Sequence, residues 1–256
     1  MEVLFEKRGK ICTIIMNQPG VKNAVNARMA KLLADTFRAF EKDSELYAAV
    51  LWGAGGCFCA GADLKEVAFA KRVDDRRLSP VMSDDGPMGP TRMRLSKPVI
   101  AAVAGHAVAG GLELACWCDL RVVERNAVFG VFCRRFGIPL IDGGTQRLPR
   151  LIGLSRAMDM ILTGRPVGAD EALAMGLANR VVENGKSREE AEALAATLAE
   201  FPQRCMRSDR EAVYRGLDFD EALELELKLG MRVIESGETT EGARRFDGGA
   251  GRHGEF

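Results

Sequence analysis

Residues 97–122 read KPVIAAVAGHAVAGGLELACWCDLRV, and this stretch decides the fold. From Pro98 the chain runs apolar to Val103, with the length and composition of a strand buried on both faces. Ala109-Gly110-Gly111 breaks the pattern and opens a helix that lasts to about Cys118. A second strand follows from Asp119 to Val123. Strand, glycine turn, helix and strand in so short a span predict an α/β core, because parallel neighbours need a crossover between them.

The same alternation extends both ways from this stretch. Upstream, residues 3–7 and 10–17 read as strands about an Arg8-Gly9 turn. Asn26 caps a helix to about Ser44, with Met29, Leu32, Leu33, Phe37 and Phe40 at helical spacing. A buried strand over 47–52 runs into GAGGCFCAGAD (53–63), and a short helix is expected from Asp63 to about Lys71. Residues 72–90 turn to Asp, Ser, Pro and Gly, which predicts a mobile loop or a short helix framed by loops. Downstream, extended pieces near 128–130, a turn at 137–139, helices over 143–152, 154–162 and 169–175, and a strand over 177–182 complete the core. After Ser187 only helices are expected: 187–199, 202–215, 219–234 and one near 239–245. The chain is therefore read as an α/β core over 1–186 followed by a helical region over 187–256, with the glycine-rich tail irregular.

Composition removes several function classes. Lys and Arg number 36 against 36 Asp and Glu, so the basic excess of a nucleic-acid partner is missing and none is expected. There is no run of about 18 apolar residues for a membrane span. The charged start, MEVLFEKRGKICTIIMN, is no signal peptide. Seven cysteines, an odd number mostly in apolar segments, suit reduced thiols and a cytoplasmic location. Cys57/Cys59 and Cys116/Cys118 lack the spacing of structural zinc sites and read as small buried hydrophobes. Two histidines, His106 and His253, and the absence of a G-x-S-x-G elbow leave a nucleophilic triad without support. His106 is expected to be structural.

Two turns carry the chemistry. Cys59-Ala60-Gly61-Ala62-Asp63 and Ala109-Gly110-Gly111-Leu112-Glu113 each join a buried strand to a helix start. Helix N-termini leave N–H groups unpaired beside a partial positive charge. Two such groups aimed at one point form an oxyanion hole; two ordinary tight turns are the plain alternative. Neither turn matches a dinucleotide or phosphate-binding loop.

The segments NQPGVKNAVN (17–26), CFCAGADL (57–64), the 97–122 stretch, IPLIDGGTQRLPRLIG (138–153) and LTGRPVGADEALAMGLANRVV (162–182) resemble the crotonase family in order and spacing. The resemblance implies a spiral of ββα units with an α-helical C-terminal region that assembles as a homotrimer or dimer of trimers. It implies a coenzyme A thioester as substrate, no permanently bound cofactor, and enolate stabilisation, with water addition to a 2-enoyl-CoA as the default reaction.

Carried over by position, the oxyanion donors are the N–H groups of Ala62 and Gly110. Lys22, Asn23, Ala24, Ala60, Gly61, Asp63 and Leu64 fall where relatives line the coenzyme A channel, although Lys22 equally reads as a surface lysine. Glu113 falls on one of the two hydratase glutamates; outside the motif it reads as a stabilising acid in a first helical turn. The second glutamate position is occupied by Cys133. Asp142 is read either as the catalytic aspartate of some relatives, such as dienoyl-CoA isomerases, or as the N-cap of the helix from Gly143. Arg134 and Arg135 are candidates to pair with Asp142 or to recognise a polar acyl group. Phe246, Arg252 and His253 are candidates to reach a neighbouring subunit. The competing readings are an isomerase built on Glu113 and Asp142, and a coenzyme A-binding or scaffold protein with little catalytic activity.

Overall fold

A computed structural model describes residues 1–69, 78–215 and 219–249. β1 (Val3–Arg8) and β2 (Ile11–Met16) form an antiparallel hairpin. Onto β2 are added, all parallel, β3 (Ala48–Gly53), β4 (Val99–Val103), β6 (Leu120–Glu124) and β9 (Arg180–Val182), giving one six-stranded sheet. A second sheet joins β5 (His106–Val108), β7 (Val128–Gly130) and β8 (Val167–Gly168). Cys59 bridges Ala107 in parallel beside β5.

Each pass of the chain thus gives a piece to the first sheet, then one to the second, before a helix follows. β3 leads to Cys59 and α2 (Leu64–Phe69); β4 leads to β5 and α3 (Gly110–Trp117). β6 leads to β7, a 3-10 turn over Phe132–Phe136, and α4 (Gly144–Ile152). This is the expected spiral of ββα units.

The strands read as unbroken apolar runs because both faces of the sheet are covered. Ala49, Leu51, Ala101, Val103 and Val123 face the larger core with α1 (Ala27–Lys42), whose Met29, Leu33, Phe37 and Phe40 are all fully buried. Asn26 caps α1, its Oδ1 accepting from the Met29 N–H at 2.8 Å. The alternate strand residues, Ala48, Val50, Ile100, Ala102 and Val122, pack on Ala191, Leu194, Ala195 and Ala199 of α7 (Ser187–Glu200). Ser187 therefore marks where the strands end, while α7 itself belongs to the layered core. The other helices are α5 (Leu154–Thr163), α6 (Ala169–Met175), α8 (Gln203–Arg215), α9 (Phe219–Glu235) and α10 (Glu238–Asp247).

Three features depart from the sequence reading. The three-residue strand β5 and the 3-10 turn over Phe132–Phe136 were not foreseen. In the 72–90 segment, residues 86–90 are mostly buried and are not a loose loop. Gly86 and Gly89 exchange hydrogen bonds of 2.9 and 2.8 Å around Pro87-Met88, and a 3-10 turn over Pro90–Arg92 follows. Phe246 packs edge-on to Phe136 at 5.1 Å between ring centres. Residues 72–77, Arg252 and His253 lie outside the described residues. Among those described, no helix is long and apolar enough to cross a membrane.

Candidate active site

The 22–25 segment runs beside 60–63. Ala60 N donates to Lys22 O at 3.0 Å, Val25 N to Gly61 O at 2.8 Å, and Asp63 N to Val25 O at 3.0 Å. Lys22, Asn23 and Ala24 are thereby placed alongside the 60–63 turn. Lys22 and Asn23 both take left-handed backbone angles, with φ of 51° and 53°. The Asn23 side chain holds that bend: its Nδ2 donates to Ala54 O at 2.9 Å and Cys57 O at 2.7 Å, while its Oδ1 accepts from Gln18 N at 2.8 Å. Asn23 is fully buried, so its side chain serves to hold the bend. Lys22 is exposed, and its charge together with burial lowers the basicity of His106, burial being the larger cause. Asp63 Oδ1 accepts from Lys65 N at 2.9 Å, at the start of α2.

The two glycine turns touch. A Cβ placed on Gly61 would lie 2.9 Å from Ala109 Cβ and 3.2 Å from Gly110 N, so a side chain there would push the turns apart. Ala109 adopts φ 53° and ψ −127°, a strained backbone that aims the start of α3 at this point. Neither the Ala62 N–H nor the Gly110 N–H donates to a described residue. Two unspent donors on adjoining turns are what an oxyanion hole requires.

Glu113, in the first turn of α3, is 3% exposed. Its Oε1 accepts from Asp142 N at 2.9 Å and Gly144 N at 2.8 Å, which fixes the carboxylate against the start of α4. Cys133 is buried nearby. Burial first, and the Glu113 charge second, push its thiol up to about 12, so it stays protonated. Sulfur is at best a weak hydrogen-bonding partner.

Asp142 does not cap α4. That position belongs to Gly143, which makes no side-chain cap. Instead Asp142 Oδ1 accepts from Met88 N at 3.0 Å and from the Thr91 hydroxyl. Burial raises its carboxyl above the ordinary carboxylate range, and these two hydrogen bonds and the charges of Arg92 and Arg147 only partly offset it. Arg147 also donates to Asp142 O at 2.6 Å and Thr91 O at 2.7 Å. Arg134 and Arg135 turn away, donating to Ile161 O at 3.2 Å and Gly164 O at 2.7 Å at the end of α5.

Met88 links the two halves of the site. Its N–H holds Asp142, while a Cβ on Gly110 would meet its sulfur at 2.6 Å. Met88, Thr91 and Arg147 were missed in the sequence, where Gly-Pro-Met-Gly offered only a turn signal. The structure brings together Ala62, Gly110, Glu113, Cys133 and Asp142, and it sets the 22–24 and 60–64 segments beside them.

The sequence model of the enoyl-CoA hydratase/isomerase family matches residues 6–248. The chain belongs to this family. Its relatives in the family include the enoyl-CoA hydratase EchA19 of Mycobacterium tuberculosis, 34% identical over 96% of this chain and 93% of that protein. The short-chain-enoyl-CoA hydratase of Clostridium acetobutylicum is 37% identical over 88% of this chain and 86% of its own length. Among solved structures, a carnitinyl-CoA dehydratase from Mycobacterium avium superposes with a TM-score of 0.85 at 34% identity, covering 96% of this chain and 97% of that one. The family's crotonase fold is the spiral described above.

Proposed function

We propose that this chain is an enoyl-CoA hydratase in which Glu113 and Asp142 form the acid–base pair. The observation that carries the proposal is the fixed Glu113 carboxylate beside two unspent N–H groups on touching turns. Ala62 and Gly110 would receive the thioester oxygen as it gains charge; one such donor is typically worth about 2.7–4 kcal/mol in the barrier. Lys22, Ala24, Ala60, Gly61, Asp63 and Leu64 would line the coenzyme A channel, with buried Asn23 holding the 22–24 bend in place.

In this reading Glu113 takes a proton from water as its oxygen bonds to the β-carbon. The double-bond electrons move to the thioester enolate, and Asp142 gives a proton to the α-carbon. The proton on Glu113 then returns to Asp142. A buried acid with a raised affinity for its proton suits the donor's role. Cys133, a protonated thiol, does not replace a second glutamate as a base. The enolate forms without any cofactor, the coenzyme A thioester being the substrate.

The test is loss of enoyl-thioester absorbance from crotonyl-CoA, compared with Glu113→Gln. A fall of roughly 10²- to 10⁴-fold in kcat with binding retained is expected. Normal turnover by the variant would refute the role of Glu113. Cys133 also motivates a second reading, a double-bond isomerase with Asp142 as the proton shuttle. It is favoured if crotonyl-CoA stays unhydrated while a 3-enoyl-CoA is converted to the 2-enoyl isomer.

We further infer a cytoplasmic homotrimer or dimer of trimers. Seven unpaired cysteines suit a reducing compartment. Leu154, Met158 and Leu162 form an exposed apolar stripe along α5, which suits an interface between copies.

A further inference from the structure

Thr91 is fully buried on the 3-10 turn over Pro90–Arg92, and its hydroxyl donates to Asp142 Oδ1. The turn is pinned from behind, since Arg147 donates to Thr91 O at 2.7 Å and to Asp142 O at 2.6 Å. Gly86 closes another side of the pair: a Cβ there would overlap Thr91 Oγ1 and lie 2.9 Å from Asp142 Oδ1. Met88 N, which can only donate, reaches the same oxygen at 3.0 Å. Oδ1 is thereby spent twice over as an acceptor. Oδ2 differs. It has no hydrogen-bond partner among the described residues, yet it is not sealed from solvent.

We infer that Thr91 is a positioning residue that makes Oδ2, and not Oδ1, the atom of Asp142 that delivers the proton. The inference rests on Asp142 being the proton donor proposed above, and it holds for hydration and isomerisation alike. In the delivery step the Oδ2–H bond breaks and the enolate's electron pair forms the new C–H bond at the α-carbon. The negative charge passes from the enolate to the Asp142 carboxylate. Hydrogen bonds to a charged acceptor are roughly twice as strong as neutral ones. Those from Thr91 and Met88 to Oδ1 therefore tighten as the charge arrives, which favours the product of the step over its start. Burial raises the proton affinity of Asp142, and the Thr91 hydroxyl is the largest of the influences that oppose it. Without that hydroxyl the acid holds its proton more tightly and delivers it more slowly. The charged groups around the carboxyl are Arg92 beside Thr91, Arg147 on α4, and Glu113 on α3, whose Oε1 accepts from Asp142 N. From α9, Leu223 and Gly230 pack over residues 141–143.

The experiment compares Thr91→Val and Thr91→Ser with the parent and with Asp142→Asn. It reads kcat and KM against pH for crotonyl-CoA, or for a 3-enoyl-CoA if isomerisation is the reaction. Thr91→Val is expected to lower kcat by about 10- to 100-fold, the range for one hydrogen bond to a charged group, with KM little changed. The alkaline limb of kcat, where Asp142 loses its proton, should move to higher pH, because the charged form has lost a donor. Thr91→Ser should restore both. Circular dichroism establishes folding; if Thr91→Val does not fold, Thr91→Cys, a weak donor of similar size, takes its place with the same expectations. An unchanged kcat and limb in the folded variant, while Asp142→Asn loses turnover, overturns the role of Thr91 alone. Turnover kept in Asp142→Asn, or absent from the parent, overturns the acid–base pair and this inference with it. A slower Thr91→Val that keeps the parent's limb, or that serine does not rescue, makes Thr91 merely structural and also overturns the inference.

Discussion

The acid–base role proposed for Asp142 would come at the expense of stability. Its carboxyl is buried, and burial raises its proton affinity in the folded chain beyond what Thr91, Met88 and two arginines take back. A folded chain that holds this proton more tightly than the unfolded chain is most favoured below the unfolded pKa of about 3.9. That advantage is lost as the pH rises through the folded value. Asp142→Asn removes the titration and keeps an oxygen for Met88 N and the Thr91 hydroxyl. The variant is therefore expected to gain stability on the parent as pH climbs from 4 to 7, while kcat falls by roughly 10²- to 10⁴-fold. Urea midpoints at both pH values test this; a stability difference that does not change between them would sink the argument. The sequence placed Glu113 and Asp142 in the site, but it could not show what holds them. Thr91 and Arg147 meet across 56 residues of chain and Met88 and Asp142 across 54, without local periodicity to betray either contact. The same blindness left Asp142 open between catalyst and helix cap; the side chain, turned to Met88 N and the Thr91 hydroxyl, removes the cap reading.

At the scale of elements, long periodic segments were readable, while of the short ones β7 and α6 were expected and others were not. α1 and α7 announce themselves through apolar spacing, and the strands through apolar runs between glycines. β5 has three residues, and Phe132–Phe136 makes a single tight turn, too short for any period to register. That turn carries Cys133 and receives α10. Gly242 of α10 lies so close to Phe136 O that a Cβ would overlap it, Thr239 Oγ1 donates to Gly137 O at 3.0 Å, and Phe246 packs on Phe136. α10 also packs along α2, the helix that leaves the first oxyanion turn. It therefore clamps the elements behind both Ala62 and Cys133. Gly242→Ala is expected to lift α10 from this seat, costing about 1–3 kcal/mol of stability as an overpacked contact. KM for the acyl-CoA should rise as well, because both clamped elements border the site. Parent-like thermal unfolding and KM would show that the close approach has no such role.

For the whole molecule, both faces of the sheet are covered, and of the large apolar side chains still exposed three form a pattern. Leu154, Met158 and Leu162 recur every four residues along α5 with 68%, 41% and 65% of their surface exposed. Such spacing puts them on one helical face, and a stripe of large side chains left to water is unfavourable at about 25 cal/mol per Å² of apolar surface. An ordinary surface helix would carry charge there, as α5 does at Arg156 and Asp159 on its other sides. The trimeric assembly proposed above would bury this stripe between copies. α5 ends where Arg134 and Arg135 cap its carbonyls, one turn of chain from Cys133, so an interface on α5 would also steady the site. The double variant Leu154→Glu/Leu162→Glu places charges on that face without touching the core. Light scattering after gel filtration is expected to report a shift from trimer or hexamer towards monomer, with turnover per subunit falling as the population dissociates. If the variant keeps the parent's mass, the stripe lies outside the interface and assembly must use another face. If it becomes monomeric at full activity, the interface is real but the steadying effect on the Cys133 turn is not.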